Sequence, residues 1–208
     1  FLSALFEGDL GRSLRTNRDV VGEVMRVLPF TIHLAAAAIL VGALIGIPIG
    51  IWTAVRHNSA TDYALNAIAM LCMATPAFWF GILLILVFSY YLGWLPATGY
   101  EPISEGLWAN LRPMILPAAS LALVEWTVLM RTLRAEMIGT LQENYISLAR
   151  AKGMSNLRIL FAHALRPSSF STITILGLQV ARLMSGAIIL EQIFGIPGLG
   201  RMLIHAVY

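Results

Sequence analysis

From about Pro29 to Val55 the chain carries one histidine, His33, and no formal charge. About 20 mostly apolar residues are enough to cross the ~30 Å hydrocarbon core of a bilayer as a helix. Within that core only helices and closed barrels satisfy their own backbone. Three further segments are comparably apolar, from about Tyr63 to Leu95, Pro113 to Met137 and Ser168 to Leu190. Apolar residues make up 58% of the 208 and charged residues 12%, too few charges to cover a water-soluble globule. The expected fold is all-α, a polytopic membrane protein with four transmembrane helices in these residues. The second segment is longer than one crossing needs, so a tilt or kink is expected, with Pro76 as its hinge.

The charges between the spans set the orientation. Residues 131–166 carry Arg131, Arg134, Arg150, Lys152, Arg158 and Arg166 against only Glu136 and Glu143. Residues 93–112 carry one base, two acids and the aromatics Trp94, Tyr100 and Trp108. The basic segment is expected to face the cytoplasm and the acidic, aromatic one the opposite side. Alternation then places the Arg56–Asp62 turn inside and the stretch after Glu191 outside. Arg12, Arg15, Arg18 and Arg26 run against a pure charge count, because they precede the first span and would lie outside.

The basic loop does not read as a passive connector. Thr140 followed three residues later by Glu143 has the form of a capping box, predicting a helix from Leu141. Gly153 can take the left-handed conformation that ends helices, and a side chain there is expected to block the sharp turn. Ser155 is a candidate cap for a second helix, with Leu157, Leu160, Phe161, Ala164 and Leu165 along one apolar face. Pro167 introduces the next span. A structured helix–turn–helix at the inner membrane surface suits either docking to a protein or lying on anionic lipid.

The segment YISLARAKGMSNLRILFAHALRP, Tyr145 to Pro167, resembles the EAA coupling loop of permease subunits of ATP-binding-cassette importers. ARAKG followed by HALRP is similar to the dipeptide/oligopeptide/nickel branch. So are GDLGRSLRT at Gly8–Thr16, IGIPIG at Ile45–Gly50, LGWLPATGY at Leu92–Tyr100 and EQIFGIPGLGRML at Glu191–Leu203. The general pattern has Glu-Ala-Ala ending four residues before the glycine, where this chain has Ser147, Leu148 and Ala149. The resemblance implies an extracytoplasmic segment at 1–28 and a permease domain at 29–208 with its coupling loop at 140–167. It implies further helices before Phe1 and after Tyr208, about six spans in the full subunit, in a bacterial plasma (inner) membrane. Arg12, Arg15 and Arg18 would then fall in an extracytoplasmic loop between the first two spans.

The resemblance also implies partners: a second homologous permease, two ATPase subunits and an extracytoplasmic binding protein that delivers short peptides. Glu143, Tyr145, Ala149, Arg150, Ala151, Lys152, Gly153 and Arg158 would couple the chain to the ATPases. The chain has no G-x-x-x-x-G-K-[ST] phosphate loop, so ATP and Mg are expected on the partners and no catalytic residue or cofactor on this chain. Nucleic acid is not an expected partner. Nickel chelates, glutathione or another small solute are alternative cargoes, and a gradient-driven secondary transporter or channel is the alternative class.

The remaining candidates are read from the residues alone. Gly42, Gly46 and Gly50 repeat every four residues, a helix-packing face. Glu125 and Arg182 fall deep in the third and fourth spans, where a charge costs about 2.5–3.5 kcal/mol and usually faces a partner or a watery cavity. They are candidates for the translocation path, pairing with each other or with substrate termini. Gln179, Ser185 and Asn66 are further candidates for its polar lining, and Thr75–Pro76 for a gate hinge. His33, His57, His163 and His205 lie in separate segments without metal-ligand spacing, and Cys72 is a lone thiol, so no metal site is expected.

Overall fold

The computed structural model describes residues 11–13, 17–102 and 105–207. Apart from an isolated bridge between Arg12 and Asp19, the described residues form helices and connections. In chain order the helices are α1 (Val20–Val55), α2 (Ala60–Ala74), α3 (Ala77–Leu84, followed by a π-helical turn Ile85–Tyr91) and α4 (Leu107–Leu141). They continue as α5 (Asn144–Ala151), α6 (Asn156–Arg158, followed by a π-helical turn Ile159–Leu165), α7 (Arg166–Gly186), α8 (Ile188–Phe194) and α9 (Leu199–Val207). Helices α1 and α4 are each long and apolar enough to cross a membrane. Counting each of two bent pairs, Ala60–Ala74 with Ala77–Tyr91 and Asn156–Met184 with Ile188–Phe194, as one span raises the number to four.

Three span boundaries differ from the sequence expectation. Helix α1 starts at Val20 rather than near Pro29, because the Asp19 carboxylate accepts the Gly22 N–H at 2.7 Å and so caps one of the helix's orphan donors. At 36 residues it is about 54 Å long and overshoots a bilayer core. Helix α4 starts at Leu107, so Pro113 and Pro117 lie inside it rather than at its head. The fourth segment is interrupted at Ala187 before α8 begins. The second segment does break where expected. Thr75 is extended (φ −95°, ψ 130°), its N–H returns to the Cys72 carbonyl, and the helix resumes after Pro76.

The chain packs as two compact units. One comprises Ala38–Phe80 and Ala119–Ala181, and its core is built on α4. Gly42, Gly46 and Gly50 put one face of α1 directly against that helix. A Cβ at Gly46 would lie 2.7 Å from the Trp126 carbonyl oxygen, and one at Gly50 would lie 3.0 Å from that of Met130. Ala69 of α2 packs with Trp126 and Met130 beside Ile49, Leu65 and Cys72. Ala54, Leu133, Met137 and Ala164 form a second cluster with Ile138, Leu141, Leu160 and Leu165 against it.

The other unit comprises Phe1–Ala37, Gly81–Ala118 and Arg182–Tyr208. Its centre is the Glu191 carboxylate, which is fully buried. One oxygen accepts the Thr31 hydroxyl at 2.6 Å, and the other accepts the N–H groups of Gly200 and Arg201 at 2.7 and 3.2 Å. The carboxylate thus satisfies the first turn of α9, where an anion is favoured by the helix dipole. Gly198 and Gly200 have no room for a side chain beside it, since a Cβ at Gly198 would overlap the Glu191 carboxylate and one at Gly200 would overlap the Ile188 Cα first and then that carboxylate. The segment LGWLPATGY is tied in by Gly99 N–H to the Phe194 carbonyl at 3.0 Å and by Tyr100, edge-on to Phe30 at 4.7 Å. On its exposed continuation, a hydrogen bond to the Glu105 carboxyl, then that group's charge, push Glu101 above its ordinary pKa.

The glycine face yields a graded expectation. Gly46→Ala should destabilise the detergent-solubilised chain by about 1–3 kcal/mol, the range for overpacking a tight contact. Gly139 is helical with open space where its Cβ would go, so Gly139→Ala should be neutral or stabilising by up to about 1 kcal/mol. Thermal unfolding of the two variants side by side checks this.

Candidate functional site

Helix α5 begins at Asn144, not at Leu141. The expected cap, Thr140, lies in the last turn of α4, and its hydroxyl is 3.1 Å from that of Ser168. Packing explains the shift. Ile138 and Leu141 lie against the Ala54–Leu133–Met137–Ala164 cluster, which holds the end of α4 helical. Glu143 takes the cap position instead, with extended backbone (φ −67°, ψ 148°) and no capping bond from its side chain. Its carbonyl accepts the Ile146 N–H at 3.0 Å.

Only one stripe of α5 turns inward. Ile146 and Ala149, three residues apart, are buried with Ile159, and Met154 packs against them. Ala149 therefore shapes the helix from inside, while Tyr145, Leu148, Arg150 and Ala151 are exposed. The helix ends at Gly153, whose φ is +75°. The Gly153 N–H bonds the Arg150 carbonyl at 2.9 Å and the Met154 N–H the Ala149 carbonyl at 3.2 Å, the paired bonds of a Schellman motif. A Cβ on Gly153 would meet nothing within 4 Å. The glycine is needed for its left-handed backbone and not, as the sequence suggested, to leave room for the turn. Arg150 and Lys152 lie at the negative end of the helix dipole, a favourable place for cations.

Ser155 takes the cap position of the following helix with extended backbone (φ −65°, ψ 145°), but its side chain makes no capping bond. The apolar face predicted there is divided. Leu160, Ala164 and Leu165 pack inward, whereas Leu157 and Phe161 are exposed. Ile159, absent from the predicted set, is buried. The π-helical turn causes this, because an extra residue per turn rotates the side chains off the three/four spacing. Between the two arms lies a pocket of about 380 Å³, lined by Val55, Leu141, Arg150, Asn156, Leu157, Ile159 and Leu160.

Sequence reasoning missed one interaction in the same unit. Arg134 donates to both oxygens of Asp62, Nε to Oδ1 at 2.7 Å and Nη2 to Oδ2 at 2.6 Å. Asn66 donates to Oδ1 at 2.7 Å and the Asn58 N–H to Oδ2 at 3.0 Å. Asp62 is buried, and every lone pair of its carboxylate is used. These bonds fix the 56–62 turn onto α4 and commit Asn66 to Asp62. The partners are 72 residues apart in sequence, which no local pattern reveals.

The path candidates are placed as follows. Glu125 and Gln179 are buried in the same unit, where the Gln179 side-chain amide donates to the Glu125 carbonyl at 3.1 Å. A Cβ at Gly42 would lie 3.3 Å from that of Glu125. Arg182 opens the last segment of the other unit on an exposed helix face. Ser185 belongs to α7, but its side chain, like most of Gly8–Thr16 including Arg15, lies outside the described residues. Thr75 returns its hydroxyl to the Leu71 carbonyl at 2.8 Å beside the helix break.

Residues 46–208 match the family described as the binding-protein-dependent transport system inner membrane component. The chain belongs to that family. It is 34% identical to the di/tripeptide transport system permease protein DppB of Pseudomonas aeruginosa, over 100% of this chain and 68% of that protein. It is 36% identical to the oligopeptide transport system permease protein AppB of Bacillus subtilis, over 100% and 67%. A Brucella suis protein provisionally named a peptide transport system permease is 38% identical over 98% of this chain, which spans 65% of that relative's length. The fold is similar to the crystal structure of an amino acid ABC transporter with histidines. The TM-score is 0.63 at 18% identity, covering 90% of this chain and 79% of that one. The chain is thus an all-helical member of this inner-membrane family.

Removing one member of the Asp62–Arg134 pair strands the other. Arg134→Gln should cost about 3 kcal/mol, the low end for breaking a buried pair, because the arginine keeps some solvent contact. Asp62→Asn with Arg134→Gln should cost less than the sum of the single changes. Thermal unfolding of the four proteins closes that cycle.

Proposed function

We propose that the chain is a permease subunit of an ATP-driven importer in a bacterial inner membrane, crossing it several times and forming half of the path for short peptides. A second, homologous permease completes the path, two ATPase subunits bind the cytoplasmic face, and an extracytoplasmic binding protein delivers and selects the peptide. Hydrolysis belongs to the ATPase subunits, with their ATP and Mg, and this chain supplies no catalytic group. The peptide assignment rests on the names of the relatives in Pseudomonas aeruginosa and Bacillus subtilis.

One observation carries the coupling part of this reading: α5 is ordered by its own inner stripe and still exposes the rest of its surface. Ile146 and Ala149 anchor it. Arg150, Lys152 and Leu148 remain outward, offering charge-assisted and apolar contacts to a docked ATPase. A short helix closed by a Schellman turn resists bending, so displacement by a partner passes to the elements it packs on. Within the path we assign polar roles to Glu125 and Gln179, and to the Thr75–Pro76 break the hinge that lets α2 and the segment after it reorient.

Purification of the full-length protein from its native membrane, with ATPase activity measured in the isolated complex, tests the reading. Wild type is expected to carry an active ATPase. Gly153→Arg is expected to lose most of it, because the side chain costs about 1–2 kcal/mol in the left-handed conformation and unravels the turn. A folded wild-type chain without ATPase would sink the importer reading and favour gradient-driven transport. Glu125→Gln should lower peptide uptake or alter peptide preference, and uptake unchanged in both respects would remove Glu125 from the path.

A further inference from the structure

Pro167 lies one residue into α7, just after the π-helical turn Ile159–Leu165. Proline has no N–H and leaves the backbone ladder after that turn one bond short. Inside the turn, the His163 carbonyl accepts a hydrogen bond from outside its own helix: the Tyr145 hydroxyl, in the first turn of α5, donates to it at 3.2 Å. A π-helical turn next to a proline is a place where helices bend. The α5 helix is fastened to the π-helical turn itself, at Ile159 and at His163.

The fastening has an apolar and a polar part. Ile146, Ala149 and Met154 pack on Ile159, one turn before His163. Apolar contact is non-directional and permits sliding, whereas a hydrogen bond fixes register. On the far side of the turn, Ser168 donates to the Ala164 carbonyl at 2.9 Å and meets Thr140 at the end of α4. We infer that Tyr145 is a positioning residue: its bond to the His163 carbonyl makes α5 and the π-helical turn Ile159–Leu165 move as one body. Displacement of α5 then reaches the residues that lead directly into α7. This assigns Tyr145 a role inward, toward its own chain, and rests on the coupling reading above.

The test uses the intact transporter and reads the ATP-induced change in amide hydrogen exchange over residues 159–170. That readout needs no knowledge of the cargo, and a purely structural role for the tyrosine would not move it. Tyr145→Phe removes only the hydroxyl and should shrink the ATP-induced change about fivefold, the worth of one hydrogen bond of about 1 kcal/mol. Ser147→Ala, at an exposed position of the same helix, should leave the response within about 1.5-fold of wild type. A full response in Tyr145→Phe, or an equal loss in Ser147→Ala, overturns the inference. A wild-type protein that purifies without ATPase overturns the importer reading and this role with it, and does so before any variant is compared.

Discussion

The contact on which one whole unit depends is the approach of α1 to α4 at Gly46. With a Cβ there, an atom would lie 2.7 Å from the Trp126 carbonyl oxygen, so the two helices can be this close only while the position is bare. In a bilayer, burial of apolar surface does not distinguish helix–helix contact from helix–lipid contact. Close packing and polar contacts between backbones must hold the bundle together. Because α4 is clamped by α1 on its glycine face, its other faces are free to receive Ala69 on one side and Ala164 on another. The Asp62–Arg134 bonds then fix the 56–62 turn onto the same helix.

The other unit solves a different problem with the same residue types. A carboxylate buried without a cation would be costly. Glu191 avoids the cost by accepting backbone N–H groups at the start of α9 and the Thr31 hydroxyl. Glycines recur around it, at 198 because the carboxylate occupies the space a side chain would need, and at 200 because the Ile188 backbone does so together with the carboxylate. The run EQIFGIPGLG is therefore one device: an anion, a left-handed turn at Gly195 (φ +70°), and two bare positions that let the anion reach the next helix.

Much of this could be read from the sequence, and the failures have particular causes. The apolar runs mark the long helices and bent helix pairs, and Gly42, Gly46 and Gly50 mark a packing face, because both signals are local and periodic. Helix ends were displaced wherever a cap or a packing contact lay beyond the apolar run, as at Asp19. Thr140 and Glu143 had the spacing of a capping box, yet tertiary packing of Ile138 and Leu141 carried α4 through them. Gly153 was correctly placed as a helix end, although its conformation rather than its size is what the turn uses. The π-helical turn at Ile159–Leu165 left Phe161 exposed and buried Ile159, since periodicity reasoning presumes a regular helix. The Asp62–Arg134 pair spans 72 residues and has no local signature.

The segment between α4 and α7 divides one task between two kinds of contact. Ile146 and Ala149 pack with Ile159, and apolar contact holds position without fixing register. The Tyr145 hydroxyl donates to the His163 carbonyl, and a hydrogen bond is directional, so it fixes the register that packing leaves open. Both contacts fall within the π-helical turn Ile159–Leu165, so α5 is held to that turn at two points four residues apart. Pro167 follows directly, and by withholding an N–H it lets the chain bend just beyond the fastened part. The fastened part and the point of bending are therefore adjacent and separate.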